Sequence, residues 1–98
     1  MEVTFEWDEN KNKANQVKHG VSFETAVLVF EDPNRLMFIE RIEDSEERWH
    51  AIGSVRGSFL FLTVVHTYTE EQAEVVVRII SARRSTRPER KLYGETIP

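Results

Sequence analysis

The 98-residue chain contains no cysteine, and this absence excludes three kinds of chemistry at once. Disulfide bonds, thiolate nucleophiles and cysteine-ligated zinc all require a side chain that the sequence does not have. Long hydrophobic runs are absent too, because no apolar segment approaches the ~20 residues that a membrane helix needs. The opening segment, MEVTFEWDEN, carries acids where a secretory signal carries a basic segment followed by an apolar one. We therefore expect a protein of the cytoplasm that does not contact the membrane.

Glycine and histidine are scarce, and their positions argue against further kinds of site. The four glycines are isolated, so the sequence has neither a glycine-rich phosphate loop nor the nucleophile turn of serine hydrolases. The three histidines do not have the spacing of metal ligands; they are His19, His50 and His66. Adjacent acids such as Glu46 and Glu47 are surface carboxylates more often than magnesium ligands. The sequence predicts no metal and no cofactor.

Basic residues are few overall but concentrated near the end of the chain. The formal net charge is -4, and residues 1–50 hold twelve acids and six bases. Residues 51–98 hold five acids and seven bases, and six of these bases lie in RIISARRSTRPERK, from Arg78 to Lys91. One interpretation is a basic patch on an acidic protein. The alternative is a solvated, arginine-rich helix, and charge alone favours that alternative.

Hydrophobic periodicity predicts the element order β-α-α-β-β-β-β-α, an α+β fold with a small, mainly antiparallel sheet packed against helices. The predicted strands are VTFEW, RLMFIE, ERWHAIGS, SFLFLTVVHTY and AEVVVRIISAR. Gly20 is expected to end the first helix and Ser22 to cap the second. Thr86 is expected to cap the third, with Glu89 as its capping-box partner. The length predicts one domain over residues 1–98.

The connections between the later strands are predicted from their turn residues. VRG is expected to join the third and fourth strands as a tight hairpin, and TEEQ to join the last two. SFLFLTVVHTY is apolar on both faces, with Phe59 and Phe61 on one of them, which favours a central strand. In the last strand, strict alternation places Arg78 and Arg83 on opposite faces.

Three segments of the sequence together resemble one protein family. They are FEWDENKNKANQVKHGVSFETAVLVFEDP, EERWHAIG and RIISARRSTRPERKLY, in that order and at the spacing that the family shows. On these segments the chain resembles the BrnT toxins. Two departures are small: YTEEQAEV lengthens the last hairpin loop, and Trp49 and His50 fill positions that are often a plain aliphatic or aromatic pair.

The resemblance implies a fold, an activity and a partner. The fold is similar to that of the RelE toxins, and the activity is that of a ribonuclease of a type II toxin–antitoxin system. Its substrate is RNA, mRNA in particular, so that translation is inhibited. The partner is a BrnA-like ribbon-helix-helix antitoxin, in a heterotetramer that binds operator DNA through the antitoxin.

A ribonuclease without a cofactor needs a base for the 2′-hydroxyl, a cation for the charge on phosphorus and an acid for the leaving oxygen. Arginine suits the second role because its planar fork of donors matches two phosphate oxygens, so Arg78 and Arg83 are the strongest candidates. If the strands of Arg48 and Arg78 are neighbours, the two residues flank one phosphate while Glu47 orients one of them. The alternative is that each arginine pairs with a carboxylate such as Glu47 or Glu74.

His19 is the candidate for proton transfer, because an ordinary histidine pKa of about 6.5 suits that role near neutral pH. The alternative is electrostatic, since His19 and Lys18 precede the helix-ending Gly20 and a cation there gains about 0.3–1 kcal/mol from the helix dipole. Both interpretations stay open. His66 is expected to be packed near a strand end, with His50 as its neighbour on the next strand.

The expected RNA-binding residues carry a positive charge or an aromatic ring: Lys18, Arg84, Arg87, Arg90, Lys91 and Tyr93. Three other classes of function remain open. A noncatalytic RNA-binding module would keep the basic patch and leave RNA intact. A protein-interaction domain would ignore RNA, and an inactivated toxin would only bind its antitoxin.

Overall fold

A computed structural model describes residues 2–95, which form five strands and three α-helices. The strands are β1 Glu2–Glu6, β2 Leu36–Glu43, β3 Glu46–Ser54, β4 Phe61–Glu71 and β5 Glu74–Arg84. The helices are α1 Glu9–His19, α2 Phe23–Val27 and α3 Arg87–Glu95, and a 3₁₀ turn, Leu28–Glu31, continues α2. The predicted order β-α-α-β-β-β-β-α is confirmed.

The strands form one sheet in the order β1-β5-β4-β3-β2. β1 runs parallel to β5, and all other neighbouring strands are antiparallel, which confirms the α+β prediction. β4 lies at the centre, as its apolar composition on both faces predicts. Because β1 and β2 occupy opposite edges, the segment with α1 and α2 has to cross the whole sheet.

The end of α1 and the starts of α2 and α3 lie at the residues that the sequence predicts. Gly20 adopts a left-handed φ of 70° after α1, a conformation that glycine reaches without steric cost. The Ser22 hydroxyl accepts the N–H of Thr25 at 3.1 Å and caps α2. Before α3, Thr86 and Glu89 form a reciprocal capping box, with N–H to side-chain oxygen distances of 3.3 and 2.8 Å. These local contacts fix the chain entry to each helix.

One face of the sheet, called here the core face, is covered by α2 and the 3₁₀ turn. From these segments Phe23, Ala26 and Val29 are fully buried. The buried apolar residues that the sheet contributes are Ala51, Leu62, Val64, Val75, Val77, Ile79 and Ala82. Burial of this apolar surface is the main favourable contribution to folding, at about 25 cal/mol per Å² removed from water.

A register shift interrupts the pairing of β4 with β5. Val65 pairs with Ser81, but the next residue of β4, His66, pairs with Ile79. Ile80 is therefore an extra residue in β5 and forms a β-bulge. Beyond it, the alternation of side chains along β5 is reversed.

The bulge puts both arginines of β5 on the same face. Arg78 pairs with Thr67 and Arg83 pairs with Thr63. Thr63 and Thr67 are four residues apart on a regular strand, so they and their partners point in one direction. The prediction that Arg78 and Arg83 lie on opposite faces is wrong, because strict alternation takes no account of an inserted residue.

The hairpin turns also differ from the prediction. β4 extends through the first three residues of the predicted turn TEEQ, up to Glu71, and the chain reverses at Gln72 and Ala73, whose φ angles are 50° and 65°. A two-residue turn in which both residues have positive φ matches the right-handed twist of the two strands, so the turn forms at Gln72 and Ala73. Between β3 and β4 the connection spans residues 55–60 instead of VRG alone, and β4 begins at Phe61. Phe59, predicted to be in the strand, is 99% exposed.

His66 is packed in the core, as the sequence predicts, but it lies in the middle of β4 and pairs with Trp49 instead of His50. It is fully buried on the core face, with its ring 4.9 Å from that of Phe30 between centroids. Nδ1 lies 3.3 Å from the carbonyl oxygen of Val64, and Nε2 makes no hydrogen bond within residues 2–95. Burial lowers the pKa of His66 from 6.5 to about 4, because the charged ring would lose its hydration.

The buried His66 should make the fold sensitive to mild acid. Below pH 6.5 the unfolded chain binds a proton at this ring that the native state excludes down to about pH 4. The free energy of unfolding should therefore fall by roughly 3 kcal/mol between these two pH values. Urea unfolding at several pH values measures it, and His66→Phe should remove most of the fall whatever its stability at pH 7. An equally steep fall in His66→Phe would contradict this explanation.

Candidate active site

The face of the sheet opposite the core face, called here the open face, holds the candidate site. Residues paired across neighbouring strands point to the same face and form rows. One row contains Phe38, His50, Val65 and Ser81, and the adjacent row contains Ile52, Thr63 and Arg83. Helix α3 packs at the end of this face, where the ring centroids of Tyr93 and Phe61 are 5.3 Å apart.

Arg83 and Glu89 form a two-pronged ion pair between β5 and α3. The two terminal nitrogens of Arg83 donate to the two carboxylate oxygens of Glu89 at 2.6 and 2.8 Å. The hydrogen bonds from Arg83 are the main cause that lowers the pKa of Glu89 to about 2, and the same contact raises the pKa of Arg83. Both groups are therefore charged at any working pH. Because a guanidinium has five N–H donors, the pair leaves donors for a second anion.

Arg78 has an acidic partner as well, but a loosely held one. Its Nη1 lies 3.5 Å from Oε1 of Glu6, and the two side chains are 42% and 55% exposed. Glu74, a partner that the sequence suggested, instead accepts the hydroxyl of Thr4 at 2.7 Å. Exposed ion pairs contribute about 0–1 kcal/mol, so Glu6 does not prevent Arg78 from binding a phosphate.

Arg48 does not lie beside Arg78, because β4 separates their strands. The two residues therefore do not flank one phosphate as neighbours. Arg48 lies between two other acids, with nitrogen–oxygen distances of 3.4 Å to Glu46 and 4.0 Å to Glu43. Glu47, one residue before Arg48 on β3, points to the opposite face and does not orient it.

His19 and Lys18 lie in the last turn of α1, just before Gly20. Within residues 2–95 neither side chain makes a hydrogen bond or an ion pair. Helix α1 is fixed at the edge of β5, where the Asn15 amide donates to the carbonyl oxygen of Ala82 at 2.8 Å. The structure therefore shows no direct contact between His19 and the Arg83–Glu89 pair, and both interpretations of His19 stay open.

Helix α3 exposes three of the expected RNA-binding bases. Arg87, Arg90 and Lys91 line, together with Pro88, a surface groove of about 670 Å³. Arg90 also donates to the carbonyl oxygen of Ser85 at 2.8 Å, which ties it to the start of the helix. A groove lined by three cations next to the open face attracts a polyanion.

Two more of the expected RNA-binding residues, Arg84 and Tyr93, do not contribute to the open face. Arg84 follows Arg83 in β5 and therefore points to the other side of the sheet. Tyr93 is buried, and its hydroxyl donates to Oδ2 of Asp32 at 2.7 Å. Burial is the main cause that raises the pKa of Tyr93 to about 12. Tyr93 thus holds α3 to the end of the sheet and does not offer its ring to a base.

His50 is the open-face residue that the sequence did not assign to the site. Its ring lies against Phe38, with 5.4 Å between the ring centroids. Burial is the largest cause that lowers its pKa. The charged groups that also act on it are Glu40, Arg83, Glu89 and Arg41. One sequence signal could have identified it. Consecutive residues of a strand point to opposite faces, so an apolar Ala51 on the core face places His50 on the open face.

Two negative observations hold for the part of the chain that the structure describes. No group of three or more histidine or acidic side chains is arranged to hold a metal ion in residues 2–95. No helix in this range is long and apolar enough to cross a membrane.

By the same pairing rule, Arg41, Arg48, Arg78 and Arg83 all point to the open face, next to the basic helix α3. Residues 7–89 match the sequence model of a family described as "Ribonuclease toxin, BrnT, of type II toxin-antitoxin system". Because the match covers most of the chain, the chain belongs to the BrnT family, and the resemblance seen in the sequence is confirmed. Toxins of this class act on RNA and are paired with an antitoxin. A search of curated proteins gives no significant match.

Proposed function

We propose that this chain is the toxin of a type II pair and cleaves RNA on the open face without a metal ion. The observation that carries the proposal is the placement of Arg48, Arg78 and Arg83 on this one face. Thr63 and Thr67 mark the positions of Arg83 and Arg78, so these two arginines are about 13 Å apart along the sheet. A single-stranded RNA lying along the face meets both, and the α3 bases extend the contact beyond Arg83.

In this proposal the arginines serve different steps. Arg83, held rigidly by Glu89, stabilises the negative charge that develops on the attacked phosphate. Arg78 is held loosely and binds a neighbouring phosphate, which positions the strand. The attacking group is the 2′-hydroxyl of the RNA itself, so the reaction needs no bound water or metal ion.

The strongest alternative is a toxin that binds its antitoxin or RNA but does not cleave. The observation that favours it is that Arg48, Arg78 and Arg83 each have a carboxylate within 4.0 Å, and these acids compete with phosphate. The pairing is weak at Arg78, however, and leaves unused donors at Arg83. We therefore give preference to the active enzyme.

The family supports further points of the proposal. The substrate is mRNA, the effect is inhibition of translation, and the site of action is the cytoplasm. The inhibitor is a ribbon-helix-helix antitoxin, which dimerises, binds operator DNA and forms a heterotetramer with two copies of the toxin.

The test is RNA cleavage by the purified chain in excess EDTA. We expect products with 2′,3′-cyclic phosphate and 5′-hydroxyl ends, because the neighbouring 2′-hydroxyl is the nucleophile. A DNA strand of the same sequence should remain intact, since it lacks that hydroxyl. End-group analysis by mass spectrometry distinguishes these products from those of metal-dependent hydrolysis. Loss of cleavage in EDTA, restored by Mg²⁺, would overturn the metal-free mechanism.

A further inference from the structure

His50 stands out among the three histidines because of its position on the open face. His66 is fully buried on the core face, and His19 lies at the end of α1. His50 is one row away from Arg83 and two strands across from it. With about 4.8 Å between strands and about 3.3 Å per residue, their Cα atoms are roughly 12 Å apart. Two side chains that face the same side at that distance can contact opposite sides of one phosphodiester.

The imidazole of His50 is available to a ligand. Within residues 2–95 no protein group makes a hydrogen bond to either of its ring nitrogens. Phe38 packs against the ring at a tilt of 58° and restricts its orientation, while the side chain remains partly exposed. An imidazole with unused nitrogens on the same face as a fixed guanidinium can transfer a proton at a phosphodiester that the guanidinium binds.

Partial burial keeps the His50 ring in the neutral form, which can accept a proton. Burial is the main cause that lowers its pKa from 6.5. The ionisable groups that act on its pKa are Glu40 and Arg41 on β2, Arg83 on β5 and Glu89 on α3. His66 on β4 also interacts with it electrostatically, although His66 points to the core face. The acids raise its pKa and the arginines lower it. The lowering prevails, so the imidazole is neutral at neutral pH.

We propose that His50 is the general base of the RNA cleavage reaction, an inference that rests on the proposed function. A ring nitrogen of His50 takes the proton of the 2′-hydroxyl, and the 2′-oxygen forms a bond to the adjacent phosphorus. The bond between phosphorus and the 5′-oxygen breaks, and water protonates that oxygen. The imidazolium then returns its proton to the resulting hydroxide, which leaves a 2′,3′-cyclic phosphate, a 5′-hydroxyl and the neutral ring.

Single-turnover cleavage of an RNA oligonucleotide between pH 4.5 and 8.5 tests this role. The wild-type rate should fall on the acid side with a pKa below 6.5. In His50→Gln the rate should drop about 10²- to 10³-fold, and the acid limb should disappear. The dissociation constant for a non-cleavable analogue, with a 2′-deoxyribose at the cleaved position, should stay within threefold of the wild-type value. A general base accelerates the chemical step and does not contribute to RNA affinity. Free imidazole should partly restore cleavage by His50→Ala.

Each remaining outcome has a definite meaning. If the wild-type chain does not cleave RNA, the proposed function fails, and the role of His50 fails with it. If the wild-type chain cleaves RNA and His50→Gln keeps its rate and its acid limb, only the present inference is overturned. If His19→Gln removes the acid limb instead, His19 is the base. Melting temperatures identify misfolding in His50→Gln, and the imidazole rescue of His50→Ala then decides the question.

Discussion

Replacing Arg83 by alanine should lower RNA cleavage by about ten- to a thousandfold, because the cation that stabilises the charge on phosphorus is lost. The variant should also be less stable, since Glu89 is only 14% exposed and would keep its charge without its partner. Loss of a hydrogen bond to a charged group costs about 1.5–3 kcal/mol. Cleavage rate and melting temperature therefore have to be measured together.

Arg78→Ala separates the effect on cleavage from the effect on stability, because the Arg78–Glu6 pair is exposed and contributes little to stability. It should lower cleavage over the same range as Arg83→Ala while the melting temperature stays nearly unchanged. Arg83→Lys should restore activity only in part, since an ammonium group cannot make the two-pronged contact. If both alanine variants lose activity only in proportion to their unfolded fraction, these arginines are structural and the open face is not the RNA site.

Local signals predicted most of the fold because they depend on residues close together in the sequence. Gly20 ends a helix and Ser22 begins one through contacts within four residues. By contrast, the burial of two asparagines, Asn12 and Asn15, could not be predicted. Asn15 continues the edge of β5 by bonding to both backbone groups of Ala82, at 2.8 and 3.2 Å, a contact between residues 67 positions apart.

The site was harder to predict than the fold, because one inserted residue decides its composition. Ile80 is identical to Ile79 before it, so nothing in AEVVVRIISAR identifies Ile80 as the bulge that brings Arg78 and Arg83 to one face. The strand order was also invisible, and it is what separates Arg48 from Arg78. His50 was overlooked for the same reason, since its proximity to Arg83 exists only across three strands.

Co-expression with its antitoxin should restore growth to cells that the toxin alone arrests, the largest effect expected for this protein. A ribonuclease that needs no cofactor would damage the cell as soon as it folds, so another molecule has to block its site. The purified complex should be larger than one-to-one on size exclusion and should not cleave RNA. Growth arrest that persists despite a stable complex would contradict inhibition by occlusion.

The position of the antitoxin can be tested because β5 presents arginines to both sides of the sheet. If the antitoxin covers the open face with an acidic or amphipathic segment, Arg83→Glu should weaken the complex, since like charges then meet. Arg84→Glu is the matched control, because Arg84 points to the other side and should leave the affinity unchanged. Arg78→Glu repeats the test without the Glu89 contact. The reverse pattern, with only Arg84→Glu weakening the complex, would place the antitoxin on the core-face side, and inhibition would then have to act through the sheet.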